Sequence, residues 1–150
     1  MRTPVLAALL LTACQPAVET PFASPVQIRD LAIAEPLEGK AGDADRGYLV
    51  FTARDQGHCV LCHAVESIDL EFQGNVGPPL SDLGSRLSAA EIRYRIIGAQ
   101  QIWPETVMPS YYRVEGLNRV GLEFQGHPAL SAQQIEDLVA YLSSLKASNT

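Results

Sequence analysis

The chain has 150 residues, 47% apolar and 19% charged, a balance that excludes wholesale disorder and fits a single globular domain. Its net charge is −6, the wrong sign for a nucleic-acid binder, which needs a basic patch.

The chain opens with MRTPVLAALLLTA, residues 1–13, in which Arg2 precedes an apolar run from Val5 to Leu11. The run is far shorter than the roughly 20 residues that span a bilayer, and it reads as the core of a signal peptide. Leu11-Thr12-Ala13-Cys14 resembles a bacterial lipobox, so lipidation of Cys14 is expected after cleavage. The plainer alternative is an export signal with an incidental cysteine. Either way an exported, periplasmic protein is expected; on the lipobox reading Cys14 also anchors it to the membrane through its lipid. Residues 14–41 follow as a tether, broken into extended pieces by Pro16, Pro21, Pro25 and Pro36. Val26, Ile28, Leu31 and Ile33 predict that part of it lies on a surface, of its own domain or of a partner. The domain proper is expected over 42–150.

Three helices are predicted there. The first covers 43–56, with Ala44, Gly47, Tyr48 and Phe51 on one face. A glycine inside a helix costs about 1 kcal/mol against alanine, so Gly47 on the apolar face predicts the close approach of another helix. The second covers 88–99. Ser88 and Glu91 form a capping box ahead of Ile92, Ile96 and Ile97. The third covers 131–146, capped by Ser131 and Gln134, with Ile135, Leu138, Val139, Leu142 and Leu145 facing inward and Lys146 at the negative end. Arg93, Arg95 and Arg113 read as surface charges, and His58 and His127 as structural or exposed. Between the helices lie two long irregular stretches, 63–87 and 100–130. Loops of that length in a compact domain need something to organise them. LEFQG occurs in each, at 70–74 and 122–126, and nothing physical explains the duplication.

The organiser is expected at Cys59-Val60-Leu61-Cys62-His63, the spacing of c-type haem attachment. Two residues between the cysteines let one turn reach both vinyl groups of a porphyrin, and the adjacent histidine then projects under the iron. A thioredoxin-like pair would need a βαβ context, and zinc would need about four donors. A bare disulfide leaves His63 without a role. Gly77-Pro78-Pro79-Leu80 suits a rigid proximal wall, with Pro78 a candidate haem-binding residue, and a backbone carbonyl in it is expected to accept the His63 Nδ1 proton. Met108, the one methionine besides Met1, sits between Pro104 and Pro109 where no regular helix can run. It is the expected sixth ligand, with His127 as the rival. His/Met ligation raises the potential and suits electron transfer. Arg86 and Trp103 are candidate partners for the haem propionates.

CVLCH, Gly77-Pro78-Pro79-Leu80, Met108-Pro109 and the closing Leu138-Val139-Ala140-Tyr141-Leu142 together resemble class I cytochromes c. That resemblance implies an all-α fold packed around one covalently attached haem c, held by two thioethers. It implies also that Gly47 and Phe51 on the first helix meet Tyr141 on the last. GNVGPPLSDLGSRLS, TVMPSYYRVEGLNRV and ALSAQQIEDLVAYLSSL narrow the likeness, over about 33–146, to the SoxX family. These are monohaem subunits of the SoxAX complex, an L-cysteine S-thiosulfotransferase. The implied partners are a SoxA-like haem subunit, the SoxYZ carrier protein and a soluble cytochrome c electron acceptor. The substrate chemistry, coupling thiosulfate to a cysteine of SoxYZ, is then expected in the SoxA-like subunit. Members of that family are soluble and periplasmic, so the lipobox-like start is a departure from it. The alternative is a free-standing lipoprotein electron shuttle unrelated to sulfur oxidation.

Overall fold

A computed structural model describes residues 21–147. Four helices, α1 (Ala44–Thr52), α2 (Leu83–Arg86), α3 (Ala89–Ile102) and α4 (Ala132–Ser144), are joined by loops that carry short 3-10 turns at Leu37–Gly39, Cys59–Leu61 and Leu122–Phe124. Among the described residues the only β pairing is two isolated bridges, Phe22 with Arg113 and Arg29 with Ala32. None of these helices is long and apolar enough to cross a membrane. Met1 to Cys14, with the expected signal and lipidation site, lie outside the described residues.

The three longer helices form where the capping signals place them. Asp43 accepts from the Arg46 N–H to start α1. Ser88 with Glu91 and Ser131 with Gln134 make reciprocal capping boxes for α3 and α4. The ends differ from expectation. α1 stops at Thr52 rather than 56, because Ala53 turns extended and the Gly57 N–H returns to the Val50 carbonyl at 3.1 Å. The chain doubles back there and lays the cysteine turn against the helix. α3 runs three residues beyond its expected end, past a break at Gly98, whose φ of −145° and ψ of 41° leave the helical region. Lys146 lies beyond α4, and its ammonium serves the Gly84 carbonyl of α2 instead.

α1 crosses α4 at the glycine that the sequence marks. A Cβ on Gly47 would run into the Asp137 carbonyl and lie 2.7 Å from the Tyr141 Cβ, so nothing larger than hydrogen fits. Around that crossing Tyr141 packs between Phe51, with ring centroids 5.5 Å apart, and Tyr48, edge-on at 5.8 Å. Such aromatic pairs add roughly 0.5–1.5 kcal/mol each beyond area burial.

One sequence expectation is overturned. Arg93 is not a surface charge: it is 4% exposed and bidentate on Glu136 of α4, with both N–O distances 2.7 Å. Helical period alone put it beside the apolar stripe, and the buried acid on another helix was invisible to it. The pair also anchors the segment ahead of α1. Arg93 donates to the Ile33 carbonyl at 2.7 Å, and Glu136 accepts the Leu37 N–H at 2.9 Å. Residues 21–43 therefore run as a strap over the helices, with Phe22, Ile33 and Leu37 buried and Ile28 and Leu31 exposed.

Candidate haem-binding site

The cysteine turn begins at His58, held in the left-handed region at φ 44°, and winds one 3-10 turn over Cys59–Leu61. The Cys59 carbonyl accepts from both the Cys62 N–H, at 3.1 Å, and the His63 N–H, at 2.9 Å. One carbonyl thus gathers the whole motif. Both thiols are free and half-buried. Burial above all pushes the Cys59 thiol up to about 12, its own backbone opposing and the neighbouring Cys62 adding. Cys59 is accordingly neutral and in apolar surroundings, which suits a porphyrin edge.

His63 is held from one side only. Its Nδ1 lies 2.7 Å from the Pro78 carbonyl. A carbonyl can only accept, so Nδ1 carries the proton and Nε2 keeps its lone pair free. Backbone bonds flank this contact: Gly77 N–H to the Cys62 carbonyl and Leu80 N–H to the Ala64 carbonyl, each 2.8 Å. Gly77 lies flat against the imidazole, and a Cβ there would collide with the ring. Arg86 braces the next carbonyl, that of Pro79, at 3.0 Å while paired with Asp82 at 2.8 Å.

The methionine arm stands on the other side of the sequence gap. Met108 is half-buried; its N–H donates to Thr106 Oγ1 at 3.2 Å and its carbonyl accepts from Gln100 Nε2 at 3.0 Å. Ser110 donates to Gln100 Oε1. Tyr111 then joins the two halves of the site, because its hydroxyl donates to the Gly57 carbonyl at 3.0 Å, two residues before Cys59. Burial, and then any negative charge on Cys59 or Cys62, raises the Tyr111 pKa, so it stays a neutral donor. Tyr112 points the opposite way: it is 1% exposed and bonded to Ser24 and Glu38 of the strap, each at 3.0 Å.

Trp103 is 51% exposed, with the Arg95 guanidinium 5.5 Å above its ring. His127 sits exposed in the loop after Leu122–Phe124, its N–H on the Phe124 carbonyl at 3.2 Å. Among the described residues no three His, Cys, Asp or Glu side chains gather as metal ligands, so a zinc site has no donor set. What the chain offers instead is two free thiols on one turn, the adjoining imidazole with a free Nε2 against Gly77, and a thioether on an arm that Tyr111 ties to Gly57. That set fits a covalently held haem. Gln100 was missed as a contributor by sequence reasoning; its only signal was a polar residue ending an apolar helix. The tyrosines close after Met108 do not by sequence choose between the haem crevice and a partner surface.

The cytochrome c family model matches residues 44–146. No curated protein matches the chain. A chain of the crystal structure of SoxXA from P. pantotrophus is similar, with 35% sequence identity and a TM-score of 0.77, over 84% of this chain and 98% of that one. The chain belongs to the cytochrome c family, as a SoxX-like, all-α class I member with one covalently bound haem c.

Proposed function

We propose that Cys59 and Cys62 carry the two thioethers, that His63 Nε2 is the proximal ligand and that Met108 is the distal one. The observation that carries this reading is the Nδ1–H bond from His63 to the Pro78 carbonyl. It holds the proton on the nitrogen away from the metal, orients the ring and raises its basicity. Haem c, when bound, supplies a one-electron iron centre. With His63 and Met108 both supplied by this chain as ligands, the bound group would favour electron transfer over gas binding. Arg86 and Trp103 are proposed partners of the propionates.

The chain serves as the electron-relaying subunit of a SoxAX complex in periplasmic thiosulfate oxidation. The likeness to the SoxXA chain supports this. Joining a cysteine thiolate of the SoxYZ carrier to thiosulfate forms one S–S bond and releases two electrons. A chain with one haem therefore relays twice per bond formed. The described residues hold no cysteine beyond Cys59 and Cys62, so the bond-forming chemistry belongs to the SoxA-like subunit. The electrons leave to a soluble cytochrome c. Residues 1–13 act as the signal peptide, and Cys14 takes the lipid that anchors the chain at the membrane.

Met108→Ala, followed by absorption and redox titration, tests the ligand set. The weak far-red sulfur-to-iron band is expected to vanish and the potential to fall; an unchanged spectrum would instead promote His127. Haem reduction by thiosulfate is expected only with the SoxA-like subunit and SoxYZ both present. Reduction by thiosulfate with neither present, or none in the full mixture, would sink the sulfur role.

A further inference from the structure

Gln100 stands on the last turn of α3, beyond the break at Gly98 that re-aims that turn. Its amide uses both ends on the methionine arm. Nε2 donates to the Met108 carbonyl at 3.0 Å, and Oε1 accepts from the Ser110 hydroxyl. Between those two residues Pro109 has no N–H to offer, and the Met108 N–H is spent inside the arm on Thr106. The arm therefore has no backbone ladder at the sulfur-bearing residue. The nearest backbone tie to α3 is the Tyr111 N–H to the Ile96 carbonyl, 3.1 Å. We propose that Gln100 is a positioning residue: its amide brackets Met108-Pro109-Ser110 and sets how readily the methionine sulfur is displaced from the iron. This rests on the reading of Met108 as the distal ligand.

The physical reason is leverage. For another ligand to replace the sulfur, the arm must swing off α3, and both Gln100 bonds must break with it. A half-buried amide left without partners also loses part of the compensation for its desolvation. Losing the bracket is worth roughly tenfold or more in the equilibrium for arm opening. A residue that merely stabilised the fold would lower the unfolding midpoint and leave ligand exchange alone.

The test uses the holo-protein and Gln100→Leu, Gln100→Glu and Ser110→Ala. Cyanide is added to the oxidised protein, and loss of the sulfur-to-iron band gives the displacement rate. Gln100→Leu is expected to speed displacement about tenfold. Ser110→Ala, which removes one bond, should give a smaller increase. Gln100→Glu keeps an acceptor for Ser110 but faces the Met108 carbonyl with a carboxylate, so it should lie between the two. If Gln100→Leu does not assemble, the other two carry the test. Rates in the assembled variants equal to the unaltered protein, with its band present, overturn the bracket alone. An unaltered protein that shows no such band overturns the Met108 assignment, and the bracket with it.

Discussion

The two walls of the proposed haem site are built differently. The proximal wall is local: residues 59 to 80 fold on themselves, the Cys59 carbonyl closing the cysteine turn and two more, those of Cys62 and Ala64, tying it to the Gly77–Leu80 loop. The distal wall has two prolines, few N–H groups near the sulfur, and side chains in place of a ladder. Gln100 holds it to α3 and Tyr111 holds it to Gly57. A backbone-built wall is insensitive to most side-chain changes and fails at the positions where backbone packs against ring. A side-chain-built wall loses its hold in steps, one substitution at a time.

The largest expected effect comes from the proximal wall. Gly77→Ala places a methyl in the His63 ring, and neither Pro78 nor the cysteine turn is free to retreat. Holo-protein yield, measured by haem absorbance per unit protein, is expected to fall tenfold or more. A normal yield with an unshifted Soret band would remove the claim that this wall is rigid. Next comes the scaffold common to both walls. Arg93→Met leaves Glu136 buried without its partner, and removing one partner of such a pair costs about 3–5 kcal/mol. Denaturant unfolding of the holo-protein would show it, with the sulfur-to-iron band intact below the transition. Tyr111→Phe removes the hydroxyl that ties the distal arm to the cysteine turn. About 1 kcal/mol of stability is expected to go, and cyanide should displace the methionine faster. A stability loss without faster displacement would mean that the two walls are independent.

The smallest effect belongs to neither wall. Burial pushes the Asp137 carboxyl up, but the Arg46 guanidinium, the Gln133 amide and the Asp43 N–H outweigh it, and its pKa is lowered. The unfolded group titrates near 4, so its contribution to stability is present above that pH and is lost as pH falls through the lower folded value. Asp137→Asn should flatten the acid limb of the stability profile below about pH 4. The spectrum at neutral pH should not change.

Much of the proximal wall was legible because it is written in short range. Cys59 to His63 and Gly77 to Leu80 are contiguous motifs, and the chemistry of each constrains its neighbours. Gly47 was legible too, since a glycine on an apolar helix face weakens its helix and is tolerated where a second backbone needs the space. The capping serines at 88 and 131 fixed where α3 and α4 begin. Helix ends were harder: Thr52 ends α1 because Gly57 returns to Val50, a tertiary event. Arg93 was misread for the same reason, as its partner Glu136 lies on another helix and both look like solvent-facing charges in one dimension. Gln100 and Tyr111 act across gaps that no periodicity marks. Tyr111 and Tyr112 are neighbours in sequence, yet one is tied to the approach to the cysteine turn and the other to the strap.

That last division has a mechanical consequence. Ala23 and Val114 donate to the Tyr112 and Pro21 carbonyls at 3.0 and 2.9 Å, so the front of the strap is stitched to the segment that follows Tyr111. A tug on the chain from its N-terminal side meets this short seam first. The buried Arg93–Glu136 pair lies further along the strap and bears load only after the seam opens. Tension would thus be felt at Tyr112, one peptide from the hydroxyl that secures the methionine arm, before it reached the helical scaffold.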